Sequence, residues 1–162
     1  SYYGVKISAT GAQAIAKMLA VSRSLKSVKL GCNNSIGDEG MAVLCEELKS
    51  NSTLVGLELR RNSIGAAGAQ SLANMLQYRA LKSVKLGDNS IGDGGTAALS
   101  DALKSNNTLE ELELYGSGIG AAGAQSLANM LQFNRSLTSL NLFNNQIGAG
   151  GAKAIADSLP QS

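Results

Sequence analysis

The sequence predicts an α/β solenoid, a coil of repeated strand, turn and helix units with parallel strands on its concave face and helices on its convex face. Three observations predict it. The pattern L-x-x-[LV]-x-L begins at Leu25, Leu54, Leu81, Leu109 and Leu137, so successive starts differ by 29, 27, 28 and 28 residues. A second period lies on the first: LKSVKLG at 25–31 returns at 81–87, and IGAAGAQSLANMLQ at 64–77 returns unchanged at 119–132. Within one unit the apolar period switches from 2 to 3.6, the mark of a strand followed by a helix.

The elements follow in order. Residues 1–24 read as a partial repeat, because YGVKISATGAQAIAKML places Tyr3, Gly4 and Ile7 on Tyr115, Gly116 and Ile119. A helix is expected there from about Ala9 to Ala20 with no strand before it, the pattern of a chain cut from a longer solenoid. Complete units are expected at 25–53, 54–80, 81–108, 109–136 and 137–162, and 1–162 reads as a single leucine-rich-repeat domain. In the unit at 54–80, Leu57 and Leu59 point inward from a short strand while Gly56, Glu58 and Arg60 point outward. Ile64, Ala69, Leu72, Ala73 and Leu76 then form the buried stripe of a helix. Mostly small residues recur as helix neighbours: Ala12 and Ala16, Met41 and Cys45, Ala69 and Ala73, Thr96 and Ser100, Ala124 and Ala128, Ala152 and Ala156. They let adjacent helices keep step with strands about 4.8 Å apart. One unit cannot bury its own apolar face, so stacking makes the core. The last helix is expected over 149–159, stopped by Pro160.

After each strand stands a polar residue in register with the leucines: Asn33 or Asn34, Asn62, Asn89, Ser117 and Asn145. An amide offers two donors and an acceptor, enough to satisfy backbone of its own turn and of the adjacent one. This is the pattern of an asparagine ladder, with Ser117 as its weak rung. The extra residue in GCNNSIG accounts for the spacing of 29. Two unit types alternate: the first carries charge on its helix, as at Asp38, Glu39, Glu46 and Glu47, whereas the second is largely Ala, Gln, Ser and Asn there.

The string L-x-x-L-x-L-x-x-N-x-I-G-x-x-G-A-x-x-L-A-x-x-L, seen at 54–76 and 137–159, resembles the ribonuclease-inhibitor-like class of leucine-rich repeats, and SNSTLVGLELRRNSIGAAGAQSLANMLQ is most similar to the C-terminal repeats of NOD-like receptors. The resemblance implies a horseshoe arc whose strands line a concave face used for protein or ligand contact, in cytosolic sensors, inhibitors and adaptors. Capture of a basic ribonuclease is the less apt version, since it calls for a strongly acidic face.

Composition narrows the function. Fourteen basic and twelve acidic residues leave a net charge of +2, too little for nucleic acid as a main partner. No apolar run approaches the roughly 18 residues of a membrane span, and the first residues do not form a signal peptide. Two cysteines, Cys32 and Cys45, make no disulfide framework, which favours a reducing, cytoplasmic location. Against it stand four N-x-[ST] matches, at Asn33, Asn51, Asn106 and Asn134.

The absence of histidine removes the commonest general base, and neither cofactor nor metal is expected. Gly118, Gly120 and Gly123 spell G-x-G-x-x-G after a strand, as a dinucleotide site would, but two of the three are repeat positions and no acidic residue follows about 20 positions on.

The outward row between the strand leucines runs Lys29, Glu58, Lys85, Glu113, Asn141, which reads equally as a self-neutralising ladder between neighbouring strands or as a ligand site. The next row runs Gly31, Arg60, Gly87, Tyr115, Phe143, and beyond it lie Cys32, Arg61, Asp88, Gly116 and Asn144. The candidate binding residues are Arg60, Arg61, Lys85, Asp88, Glu111, Glu113, Tyr115, Asn141, Phe143 and Asn144, with Tyr, Phe and Arg as contact anchors. The expected function is a protein-binding module. A structural or regulatory segment packing against its own chain is the rival, an enzyme is a distant third, and end-to-end self-association is expected at high concentration.

Overall fold

A computed structural model describes residues 7–32 and 35–159. Helices and strands alternate: α1 (Ala9–Val21), β1 (Ser27–Lys29), α2 (Gly37–Leu48), β2 (Gly56–Glu58), α3 (Ala66–Leu76), β3 (Ser83–Lys85), α4 (Gly92–Ser105), β4 (Glu111–Glu113), α5 (Ala121–Leu131), β5 (Ser139–Asn141) and α6 (Gly148–Ser158). The strands pair in parallel in chain order, with Val28, Leu57, Val84, Leu112 and Leu140 in one register row. Among the described residues, the helices that pack on one another are neighbours in chain order. The first helix ends one residue beyond the expected Ala20, and the last starts and ends one residue before its expected bounds.

Two layers of side chains close the core. From the strands come pairs such as Leu57 with Leu59 and Leu112 with Leu114, and from the helices come Leu44, Leu72, Leu99 and Leu127, all buried. The small helix residues Ala12, Ala69, Thr96 and Ala124 are at 0% exposure, so the helices touch through them. Ala152 and Ala156 hold the same place in α6 but are exposed, because no further helix lies against that face among the described residues.

The polar turns are satisfied by side-chain amides. Asn89 Nδ2 donates to the carbonyls of Leu59 and Leu86, both at 2.9 Å, while its Oδ1 accepts from the amides of Asn62 and Ile64. Asn145 repeats this one step removed, donating to Leu114 and Leu142 and accepting from the amides of Ser117 and Ile119. Asn62 donates to Leu30 and Arg60, and its Oδ1 has no partner among the described residues. Asn33, with Asn34, lies outside them. At Ser117 the hydroxyl donates to Tyr115 O at 3.2 Å. Nothing there accepts from Asn89 N or Ile91 N, which have no bond among the described residues.

A second ladder runs along the opposite rim, where helices return to strands. Asn51 Nδ2 donates to Leu19 O at 2.6 Å, and its Oδ1 accepts from the amides of Thr53 and Leu54. Asn134 does the same toward Leu103 O, Ser136 N and Leu137 N, and Asn106 toward Leu76 O, Thr108 N and Leu109 N. These are three of the N-x-[ST] asparagines. Asn51 and Asn134 are buried with Nδ2 engaged, so a glycan on either is incompatible with this fold. In the one turn that is a residue shorter, Arg79 stands in the asparagine's place and donates through Nη2 to Leu54 O at 2.7 Å, but a guanidinium offers no acceptor for the amides of its own turn.

The alternation of unit types also has a physical cause. Asp38 Oδ1 accepts from Gly65 N and Gly68 N, both at 2.8 Å, and Asp93 Oδ1 accepts from Gly120 N and Gly123 N at 2.7 and 2.9 Å. Each acidic helix thus caps the N-terminus of the next, where amides are otherwise orphaned and the helix dipole favours negative charge. The cap requires glycine in the receiving helix, since a Cβ at Gly68 or Gly123 would sit 2.7 Å from that Oδ1. It also disposes of the G-x-G-x-x-G reading: the Asp93 carboxylate already occupies the amides that would hold a phosphate.

Candidate functional site

The concave face is built from residues that alternate with the buried strand leucines and from the turn that ends each strand. At that turn Cys32, Arg61, Asp88, Gly116 and Asn144 all adopt positive φ, between 54° and 62°. The sheet bonding continues through them, as in Arg61 N to Gly87 O and Asp88 N to Tyr115 O. This left-handed step turns the chain out of the sheet and sets the row at the lip of the face, where Arg61 reaches Asp88 at 3.2 Å.

Gly87 organises the centre. Having no side chain, it leaves a gap on β3's extension that the Tyr115 ring fills; a Cβ there would lie 2.3 Å from ring carbons. Arg60 approaches from the other side, its guanidinium 5.8 Å from the Tyr115 centroid. It reaches across the intervening strand to Glu113 in a two-pronged contact, Nε to Oε1 at 2.6 Å and Nη2 to Oε2 at 2.7 Å, and its Nη1 holds Glu58 at 3.1 Å. The hydrogen bond to Glu113 is the main reason the guanidinium is held even more firmly protonated than usual. Burial, first among several influences, raises the Tyr115 hydroxyl above its ordinary range.

This arrangement corrects the charge-ladder reading. No ion pair joins Lys29 to Glu58, Glu58 to Lys85, or Lys85 to Glu113 among the described residues; Lys85 instead lies 3.3 Å from Glu111. Arg60 links Glu58 and Glu113 across two strand spacings, beside the Tyr115 ring that fills the gap at Gly87. Glu113 is buried, at 8% exposure, rather than facing solvent. Tyr115 and Arg60 are half-buried and packed on each other, whereas Phe143 is 79% exposed beside Asn141 and Asn144, also exposed. The site residues therefore divide into a locked central cluster of Glu58, Arg60, Glu113 and Tyr115, a lateral pair of Lys85 and Glu111, a lip pair of Arg61 and Asp88, and an open patch of Phe143, Asn141 and Asn144.

Sequence reasoning missed the part played by Gly87, although its signal was present: Gly87 stands in the row that holds Arg60, Tyr115 and Phe143. Among the described residues no group of His, Cys, Asp or Glu is placed to hold a metal ion, and no helix is long and apolar enough to cross a membrane. The cysteines are not paired; Cys45 is buried, and burial pushes its thiol up to about 12, while Cys32 is exposed.

Comparison with known proteins places the molecule. A family model described as Leucine Rich repeat matches residues 21–45, 50–73, 79–100, 105–128 and 133–156. The chain is 35% identical over 139 residues to ribonuclease inhibitor of Sus scrofa, covering 67% of this chain and 30% of that protein. It is 41% identical over 78 residues to NACHT, LRR and PYD domains-containing protein 5 of Homo sapiens, covering 47% of this chain and 6% of that one. It thus spans less than a third of these curated relatives. Among solved structures, one titled Leiomodin-1 Actin-Binding Site 2 superposes with a TM-score of 0.77 at 24% identity, over 91% of this chain and 85% of that chain, which shows a shared fold. By the family model, which matches most of its length, the chain belongs to the leucine-rich-repeat family.

Proposed function

We propose that the chain is a protein-binding module, cytoplasmic, and that its concave face recognises a protein partner through the last two strands. The observation that carries this reading is Phe143, a large aromatic side chain left 79% exposed next to a cluster already fixed by Arg60 and Glu113. Exposed aromatics beside preorganised polar groups are what binding hot spots are made of. The similarity to a ribonuclease inhibitor, named for acting on another protein, supports it. The sheet face measures roughly 24 by 23 Å, about 550 Å², from five strands and some seven residues along each. A stable complex usually buries about 800 Å² per partner, so this stretch alone binds weakly. Arg61, Lys85, Asp88, Glu111, Asn141 and Asn144 form the polar rim of that surface.

The test compares capture by the unmodified chain and by Phe143→Ala, followed by titration of each protein retained. At least one ligand should be lost by tenfold or more in the variant. Equal capture by both would remove the concave face from the account.

A second reading is favoured by the small share of the receptor-like relatives that the chain spans, 6% for the human protein: the face is covered by another domain of its own polypeptide and regulates it. In that case the Phe143→Ala effect appears as altered behaviour of the longer polypeptide.

A further inference from the structure

The rim where helices return to strands carries a recurring feature that the concave face does not use. Val21, the last residue of α1, and Tyr78 and Phe133, two residues past α3 and α5, fill equivalent repeat positions and are 77, 69 and 63% exposed. Each has an arginine one or two residues on: Arg23, Arg79 and Arg135. None of the three faces a carboxylate among the described residues, whereas Lys49, Lys82 and Lys104 on the same rim are paired with Glu46, Glu110 and Asp101.

Part of this is structural. Arg135 donates to the carbonyls of Leu131, Gln132 and Asn134, as cations near helix C-termini do, and Arg79 donates to Leu54 O and Asn51 Oδ1 in the turn before β2. Those bonds use one nitrogen of each guanidinium and neutralise no charge. They fix Arg135 at the exposed rim beside Phe133, whereas Arg79 is half-buried with its Nε enclosed and unpartnered among the described residues, and Lys49 Nζ lies over one face of the neighbouring Tyr78 ring, 5.0 Å from its centroid. Between Tyr78 and the next turn lies an open groove of about 400 Å³ walled by Gln77, Arg79, Ser105, Asn106 and Thr108, and its counterpart two turns back, of about 310 Å³, is walled by Val21, Arg23, Ser50 and Ser52.

We infer that this rim is a second interaction surface, taking an extended acidic polypeptide segment whose apolar side chains lie against Val21, Tyr78 and Phe133 and whose carboxylates pair with the neighbouring arginines. Helices pack about 8–10 Å apart, so the anchors repeat roughly every 16–20 Å. An extended chain rises about 3.3 Å per residue, which places the matching apolar residues about every five or six positions. The polar walls of the grooves suit a peptide backbone better than a lipid surface.

The test uses fluorescein-labelled synthetic peptides of glutamate with leucine at every sixth position, followed by anisotropy against the whole chain. Replacing glutamate by glutamine, or leucine by glycine, should each weaken binding at least tenfold. The double variant Tyr78→Ser with Phe133→Ser should do the same with an unchanged unfolding midpoint, and Phe143→Ala should not. No binding at millimolar peptide, equal binding of all three peptides, or an unaffected double variant overturns the inference. So does binding to phosphatidylserine vesicles that the glutamate and leucine peptide fails to displace.

Discussion

Ser117 is the residue at which the turn ladder is interrupted. An asparagine amide there would reach Leu86 O and Leu114 O and accept from Asn89 N and Ile91 N, as Asn89 and Asn145 do in their own turns. Leaving buried amides unpartnered costs about 1–3 kcal/mol. Ser117→Asn should therefore raise the midpoint of chemical unfolding, and a fall or no change would count against the ladder account. The thiols give a second check. Iodoacetamide should modify exposed Cys32 quickly in the native chain and leave Cys45 untouched until it unfolds. Because the Cys45 pKa is raised from 9.0 to about 12, its contribution to stability is complete below pH 9 and is lost as pH climbs from about 9 toward 12. Cys45→Ala should flatten that alkaline decline; a decline of equal steepness would show that other groups cause it.

At the scale of the element, what was legible in the sequence and what was not separate by the range of the interaction. Strand and helix positions were legible because Leu57, Leu72 and their equivalents repeat with the period of the element that holds them. The carboxylate caps were not, because Asp38 and Asp93 act on the following helix, 27 to 30 residues away. On its own helix each looks like surface charge. The second asparagine ladder was hidden for a different reason: N-x-[ST] at Asn51, Asn106 and Asn134 also spells a glycan acceptor, and only the buried amide bonds show which role the fold uses. Loss of a cap costs about 0.5–2 kcal/mol. Asp93→Ala should destabilise the chain by that amount, and Gly123→Ala by a similar or larger one through the clash with Asp93. In the double variant the combined loss should be less than the sum of the two single losses, since the clash with the carboxylate disappears while the 2.7 Å approach to Ile119 Cγ2 stays. Strict additivity in denaturation would mean that Asp93 and Gly123 do not meet.

At the scale of the whole molecule, the five strands among the described residues lay one face of the sheet open while the helices close the other. The central cluster on that face is built around a single gap: Gly87 presents no side chain, the Tyr115 ring lies in that space, and Arg60 stands beside the ring while it holds Glu113. Arg60→Ala should leave buried Glu113 without its two-pronged partner at a cost of about 1.5–3 kcal/mol, and Arg60→Lys should not restore it, because an ammonium lacks the planar fork. An unchanged unfolding midpoint in either variant would deny the cluster its rigidity. The outward positions were legible from the alternation along each strand, but the pairing among them was not, since Arg60 bypasses its immediate neighbour.

The claim that recognition belongs to the concave face is tested most directly by placing a photo-reactive benzoylphenylalanine at position 143, or at the exposed convex position 70, and irradiating with the partner retained by the unmodified chain. The account predicts a covalent adduct from position 143 and none from position 70. An adduct from the convex position alone would contradict it.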